Sequence, residues 1–218
     1  MGFLVEVWGQ NACFTRPEMK VERVSYDVIT PSAARGLLEA IYWHPGMKWV
    51  VDKIYVLNPI AFTNIRRNEV KAIAAGSKMR SVMTSKSKEE LFIDTKDTIQ
   101  QRASTILVDV RYIIEAHFEM TPAAAPCDNE GKFTDIIKRR LKKGQFWHCP
   151  YLGCREFPAN FRMWEKGKIE TAYEGTERDL GFMLYDMDFS DKANIQPQFF
   201  RAIMKNGVID LTKCEVIR

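Results

Sequence analysis

Two stretches of this 218-residue chain carry a helical period, and strand-like runs lie before and after each of them, so the chain has to fold as a sheet with helices laid upon it. The first stretch is residues 31–43. Thr30-Pro31 supplies an N-cap and a proline for the opening turn, Ala34, Leu37, Leu38 and Ile41 form one apolar face, and Pro45-Gly46 blocks extension. The second is residues 132–143, where Phe133, Ile136, Ile137 and Leu141 share a face and Gly144 stops the helix. Around them, Phe3, Val5 and Val7 alternate with Leu4, Glu6 and Trp8 as a half-buried first strand. Residues 24–29 read as extended, and residues 49–57 and 106–118 are rich in β-branched and aromatic side chains.

The order strand, helix, strand, insertion, strand, helix is one strand short of a βαββαβ unit, and residues 145–156 are predicted to supply it. The expected class is α+β: a ferredoxin-like (RRM-like) domain over residues 1–157, used by many RNA-binding modules, then a small antiparallel β domain over 158–218. Residues 61–103 are too charged and too aperiodic to be core, and they read as a long hairpin or loop insertion with a flexible tip at Ala74-Ala75-Gly76-Ser77. In the tail, residues 181–189 read as a strand, and 199–204 and 208–211 pair across Lys205-Asn206-Gly207, where Asn-Gly favours a type I′ turn.

The net charge of +4 is unevenly held. Residues 63–88 carry Arg66, Arg67, Lys71, Lys78, Arg80, Lys86 and Lys88 against Glu69, and residues 132–143 carry six Lys or Arg against Asp135. These 38 residues hold +11 and leave −7 on the other 180, which makes a basic face suited to polyanions. No run approaches the roughly 18 uncharged residues that a membrane helix needs, and the start of the chain lacks the pattern of a secretory signal. Glu6 stands where a myristoylation motif wants Ser or Thr. Five scattered cysteines fit a reducing compartment, so the expected location is the cytoplasm.

Three histidines can be weighed one by one. Alternation sets Ile113, Glu115 and His117 on one face of their strand and Ile114, Ala116 and Phe118 on the other, so His117 is expected on the outer face, where the insertion can fold over it. An exposed strand histidine without a task is the plainer reading, and a proton donor or acceptor near neutrality is the functional one. Tyr42 and His44 sit at the end of the first helix; Tyr42 reads as core by spacing, and His44 as a partner of the last-turn carbonyls. Helix end and strand end can also bring phenol and imidazole within reach of each other, as in a nuclease site. His148-Cys149-Pro150-Tyr151-Leu152-Gly153-Cys154 lacks the four ligands of a structural zinc site, and Asp109, Glu115 and Glu119 read as a solvated face rather than a metal pair. No Gly-rich phosphate loop, Ser-His-Asp set or dinucleotide fingerprint occurs. No metal or cofactor is expected.

Several phrases occur together: Ile65-Arg66-Arg67-Asn68-Glu69-Val70, Gln101-Arg102-Ala103, Asp109-Val110-Arg111-Tyr112, Glu115-Ala116-His117-Phe118, Leu152-Gly153-Cys154-Arg155-Glu156-Phe157 and Met183-Leu184-Tyr185-Asp186. On these residues the chain resembles the CRISPR-associated Cas-five family, subtype I-C, the Dvulg or "d" form, over nearly its whole length. The resemblance implies a metal-independent endoribonuclease that cuts the repeat of precursor CRISPR RNA and stays on the 5′ handle within the Cascade interference complex. It implies a catalytic tyrosine, lysine and histidine, carried over to Tyr42 and His117. The lysine does not transfer, because Glu115 and Ala116 precede His117, so His44, Lys48, Lys78 or Arg111 supplies that cation. Expected RNA contacts are Arg66, Arg67, Lys71, Lys78, Arg80, Gln101, Arg102, Lys138 and Arg139. Expected partners are the repeat stem-loop and other Cascade subunits, with double-stranded DNA a further polyanion that the charge admits. The rival reading is a non-catalytic RNA-binding scaffold with the same basic face.

Overall fold

The structure is a computed structural model that describes residues 2–19, 21–85, 90–165, 167–191 and 193–217. Its elements in chain order are β1 (Phe3–Ala12), β2 (Arg23–Val24), α1 (Pro31–Ile41), β3 (Met47–Val56), β4 (Phe62–Val70), α2 (Gly76–Ser85), α3 (Thr95–Thr98), β5 (Ile99–Met120), α4 (Glu130–Lys143), β6 (Asn160–Met163), β7 (Glu177–Asp188), β8 (Gln196–Lys205), β9 (Val208–Asp210) and β10 (Val216–Ile217). They make a mixed α/β molecule with one large, mostly antiparallel sheet in the order β10-β8-β9-β3-β5-β1-β6; β2 and β4 also pair with β5, and β7 pairs with β8. Among the described residues no helix is long and apolar enough to cross a membrane.

The spine is β5, 22 residues long, which pairs with β1 and β3 along its second half and with β4 along its first. Its alternation decides the two faces. Tyr112, Ile114 and Ala116 are buried on the helix side, beside Val5 and Val7 of β1 and Val51 and Ile54 of β3. There α1 buries Ala34, Leu37, Leu38 and Ile41, and α4 buries Phe133, Ile137 and Leu141. Rings fill the gap between helices and sheet: Phe118 lies 6.2 Å from Phe3, 6.3 Å from Trp49 and 6.1 Å from Phe133. The Arg140 guanidinium donates to the Ile41 carbonyl at 2.5 Å, tying the two helices together at this end of the sheet.

The capping reads as expected. Thr30 accepts from the Ala33 N–H at 3.2 Å, and Gly144 ends α4 at φ +63° with its N–H on the Arg140 carbonyl. Asn206 and Gly207 both have positive φ, as a type I′ turn between β8 and β9 requires.

Three expectations are corrected. Residues 145–156 are not the missing strand; Pro150 and the positive φ of Gly153 (+82°) break the segment into turns, and β6, Asn160–Met163, takes the place beside β1 instead. The extended stretch at 24–29 shrinks to Arg23–Val24. The insertion is the hairpin expected, β4 against the first nine residues of β5 and roughly 30 Å long at ordinary strand rise, but at its tip Gly76-Ser77 opens α2 instead of forming a flexible turn. Lys86 and Lys88 of the first basic segment lie outside the described residues.

Candidate active site and nucleic-acid interface

His117 lies on the outer face of the sheet, opposite Val50 of β3 and three residues from the end of β5. A bulge between Val51 and Lys53 inserts Asp52 into β3, and its Oδ2 sits 2.8 Å from the Nδ1 of His117. A carboxylate at Nδ1 holds the proton there and turns Nε2 away from the pair, the arrangement that makes an imidazole useful for proton transfer. Two positions along the same face, Tyr55 donates to Glu115 at 2.6 Å, and Lys53 stands 3.9 Å from that carboxylate. Burial and then the Glu115 carboxylate push the Tyr55 phenol well up, so it keeps its proton. Further along, buried Glu6 joins Arg111, at 2.5 Å, and Arg162.

Tyr42 and His44 occupy the other side. Tyr42 follows the last turn of α1 with extended backbone, its carbonyl accepting from the Trp49 indole at 2.9 Å and its ring 6.2 Å from Phe133. Arg140 lies 5.1 Å above that ring. Burial pushes the phenol up, partly offset by Arg140 and Lys132. The His44 ring is 4.9 Å from Phe133, its Nδ1 accepts from the Gly46 N–H at 3.0 Å, and Asp128 is 3.8 Å away. Lys132 binds Asp128 at 2.7 Å, which holds that carboxyl low and the ammonium high.

Consecutive residues of a strand face opposite ways, and Phe118 leads through Phe133 to Tyr42. The structure therefore does not bring Tyr42 and His117 together: it sets Tyr42 with His44, Lys132 and Asp128 on the helix side, and His117 with Asp52 on the outer side. Nor does the insertion fold over His117, because β4 pairs with the far end of β5. Of the cations left open for the lysine, Lys48 and Arg111 share the face of His117 by register, His44 faces the helices, and Lys78 rides on α2.

The basic residues divide too. Arg66, Lys71, Lys78 and Arg80 are exposed on the hairpin and its helix, Gln101 is exposed in β5 opposite Asn68, and Arg102 bonds Gln100 at 2.9 Å. Arg67 is otherwise engaged: it reaches Glu156 and, at 2.9 Å, Ser104, and so pins the hairpin to the 145–157 segment. Lys138 is half-buried and Arg139 exposed on α4. Arg66 pairs with Ala103, fourteen residues from His117, so an RNA touching both has to span roughly 45 Å. Cys154 turns toward Cys13 and Arg23, away from His148 and Cys149, and among the described residues no three His, Cys, Asp or Glu side chains converge on one point.

Asp52, Tyr55 and Lys53 escaped sequence reasoning. No periodic sign marks the bulge in the sequence, since Trp49-Val50-Val51 and Ile54-Tyr55-Val56 flank Asp52-Lys53 as unbroken apolar runs.

The profile of the family described as CRISPR-associated protein Cas5, in its Cas5d form, matches residues 2–212. The chain belongs to this family. It is 52% identical over 211 residues to the CRISPR pre-crRNA endoribonuclease Cas5d of Mannheimia succiniciproducens, covering 95% of this chain and 93% of the relative. It is 46% identical over 224 residues to the Thermus thermophilus protein of the same name, covering 95% and 90%. Among solved structures, a CRISPR-associated protein superposes with TM-score 0.71 at 24% identity, covering 100% of this chain and 97% of the other. A functionally uncharacterized protein from Streptococcus mutans superposes at 0.69 and 22%, with the same coverage. Both carry the same fold as this Cas5d-family chain.

Proposed function

We propose that this chain is the endoribonuclease that cuts precursor CRISPR RNA within its repeat and keeps the 5′ handle as a subunit of a Cascade interference complex. The names of the two relatives support the substrate, and the 2.8 Å contact between Asp52 and His117 carries the chemistry. His117 accepts the proton of the 2′-hydroxyl upstream of the cut at Nε2, while Asp52 holds Nδ1–H and stabilises the imidazolium that forms. The 2′-oxygen attacks the adjacent phosphorus in line, the P–O5′ bond breaks, and the departing oxygen takes a proton from solvent at this half-exposed face. The products are a 2′,3′-cyclic phosphate and a 5′-hydroxyl. Because the nucleophile belongs to the substrate, positioning and a cation suffice, and Lys48, opposite Glu119 at the same end of the face, is the cation assigned to the phosphorane charge.

Arg66, Lys71 and Arg80 of the hairpin hold the distal part of the RNA, and Arg139 the strand that passes the helices. DNA lacks the attacking hydroxyl, so duplex DNA is a ligand of the same basic surface and not a substrate. The reading includes a cytoplasmic protein and a ferredoxin-like core: β1, α1, β3, β5, α4 and β6 follow the βαββαβ order, and the neighbours β3-β5-β1-β6 suit it. The boundary to a small β domain then moves from residue 158 to about 164, since β6 pairs with β1.

A second reading rests on the other face, where a phenol, an imidazole and an ammonium gather in Tyr42, His44 and Lys132. Its drawback is that His44 Nδ1 already accepts from Gly46, which leaves Nε2–H a donor to phosphate oxygens and not a base. Cleavage of repeat RNA in EDTA by single variants separates the two. Loss of cutting in His117→Ala with binding kept within a few fold supports the outer face, and loss in His44→Ala with a normal His117→Ala supports the inner one. RNA bound but uncut by the wild type, with and without EDTA, means a scaffold.

A further inference from the structure

The segment that raised and failed the zinc motif builds something else. After Gly144 turns the chain out of α4, the N–H groups of Trp147 and His148 both donate to the Ala40 carbonyl at 3.0 Å, strapping the segment to the last turn of α1. Between strap and helix lies an open groove of about 760 Å³ floored by Gly36 and Ala40 and walled by Trp43, Trp147 and Tyr151. Its rings face water, with Trp147 71% and Trp43 60% exposed. Exposed indoles over a floor of small residues mark a surface shaped for a ligand, not one left over from folding. Glu39, the acid among the lining residues, is taken by Arg35 at 2.6 Å, so the charge left in the groove is the guanidinium of Arg155. The strap also enters from the basic end of α4, Lys142-Lys143.

We propose that this groove binds unpaired nucleotides of the RNA, with bases stacked on the indoles of Trp43 and Trp147 and a phosphate on Arg155. Flat aromatic walls beside positive charge are the means by which single strands are held without a fixed sequence. Trp43 lies between Tyr42 and His44, whose rings both pack on Phe133, so its indole turns the other way, into the groove. The groove then holds the single strand that flanks the repeat stem. This inference rests on the chain being an RNA-processing protein, and it adds which part of the RNA is held where.

The test is a fluorescence titration of the purified chain with an unstructured RNA of about eight nucleotides, within the length such grooves hold. It is paired with binding of the chain's own repeat stem-loop, with and without its unpaired flanks. Stacking on the indoles quenches emission. Trp43→Ala and Trp147→Ala are expected to lose quenching, to bind the single strand and the flanked repeat roughly tenfold more weakly, and to bind the trimmed stem as the wild type does. Trp147→Phe is expected to keep most of the affinity. Unchanged single-strand affinity in both alanine variants overturns the proposal, as does normal RNA binding with failed assembly into the complex, which assigns the groove to a protein. If the wild type is quenched by the single strand but never cuts repeat RNA, the enzyme reading falls and the groove stands. Normal cutting with no effect of either variant on RNA binding removes the groove alone.

Discussion

Replacing Asp52 by Asn removes one negative charge from the His117 contact and little else. The amide has nearly the volume of the carboxylate and its oxygen still accepts from Nδ1–H, so the bulge in β3 keeps its shape. A hydrogen bond to a charged group contributes about 1.5–3 kcal/mol, and this one strengthens as the imidazolium forms, so its loss falls on the rate. The side chains of His117 and Asp52 are 35% and 19% exposed, and solvent screening moves the effect toward the lower half of that range. At about 1.4 kcal/mol per tenfold, the expected slowing of the cleavage step is roughly 10- to 50-fold, with RNA affinity within about twofold of wild type. His117→Ala, which removes the proton carrier itself, is expected to cost about 10²–10⁴. The assay is single-turnover cleavage of the chain's own repeat RNA in EDTA at saturating protein, with binding measured separately. Because Asp52 acts through His117, adding Asp52→Asn to His117→Ala is expected to cost nothing further. A full-rate Asp52→Asn variant, or a further tenfold loss in the double variant, would refute the pairing as the source of catalysis.

Charge reversal at exposed Arg66 is expected to flatten the salt dependence of RNA binding by about one unit per lost phosphate contact, whereas Arg67→Ala, whose guanidinium already serves Glu156 and Ser104, leaves the slope alone; equal slopes for wild type and Arg66→Glu would move the RNA off the hairpin. Gly153→Ala meets a backbone at φ +82° and sets a methyl 2.1 Å from the Cys13 carbonyl oxygen, so it is expected to lower the unfolding free energy by about 2–4 kcal/mol in urea; a loss below about 0.5 kcal/mol would contradict that packing. The neighbouring Cys13, with help from Arg23, lowers the Cys154 thiol against the opposing effect of burial. Its alkylation by iodoacetamide is therefore expected to persist at pH values below the ordinary thiol range and to slow in Cys13→Ala. A rate that rises only in the ordinary thiol range would exclude a thiolate there.

Where the chain alternates over one buried face, the sequence was readable. Ile114-Ala116 and Ile113-Glu115-His117 parted to the two sides of β5 as their period requires, and Thr30, Gly144 and Asn206-Gly207 did what their backbone preferences dictate. The insertion read as a hairpin or a loop, and its sequence does not choose between them, because β4 is solvated along most of its length and nothing selects an apolar period. The edge strand was misplaced for a related reason: residues 145–156 are rich in rings, which raise strand propensity, yet Trp147 and Tyr151 line an open groove and Phe146 packs on Phe161. The candidate site was half legible. His117 could be set on its face by counting, but its partner comes from a strand 65 residues away, through a bulge that only the closed sheet reveals. Grouping Tyr42 with His117 joined two ends of elements that are close along the sheet and separated by its thickness.

The most direct measurement is the chemistry of the ends left on repeat RNA cut in EDTA, read together with a substrate whose ribose upstream of the cut is 2′-deoxy. The expected result is a 2′,3′-cyclic phosphate and a 5′-hydroxyl, with no scission of the deoxy substrate. Fragments ending in a 3′-hydroxyl and a 5′-phosphate, or efficient cutting without the 2′-hydroxyl, would contradict attack by the substrate's own sugar oxygen.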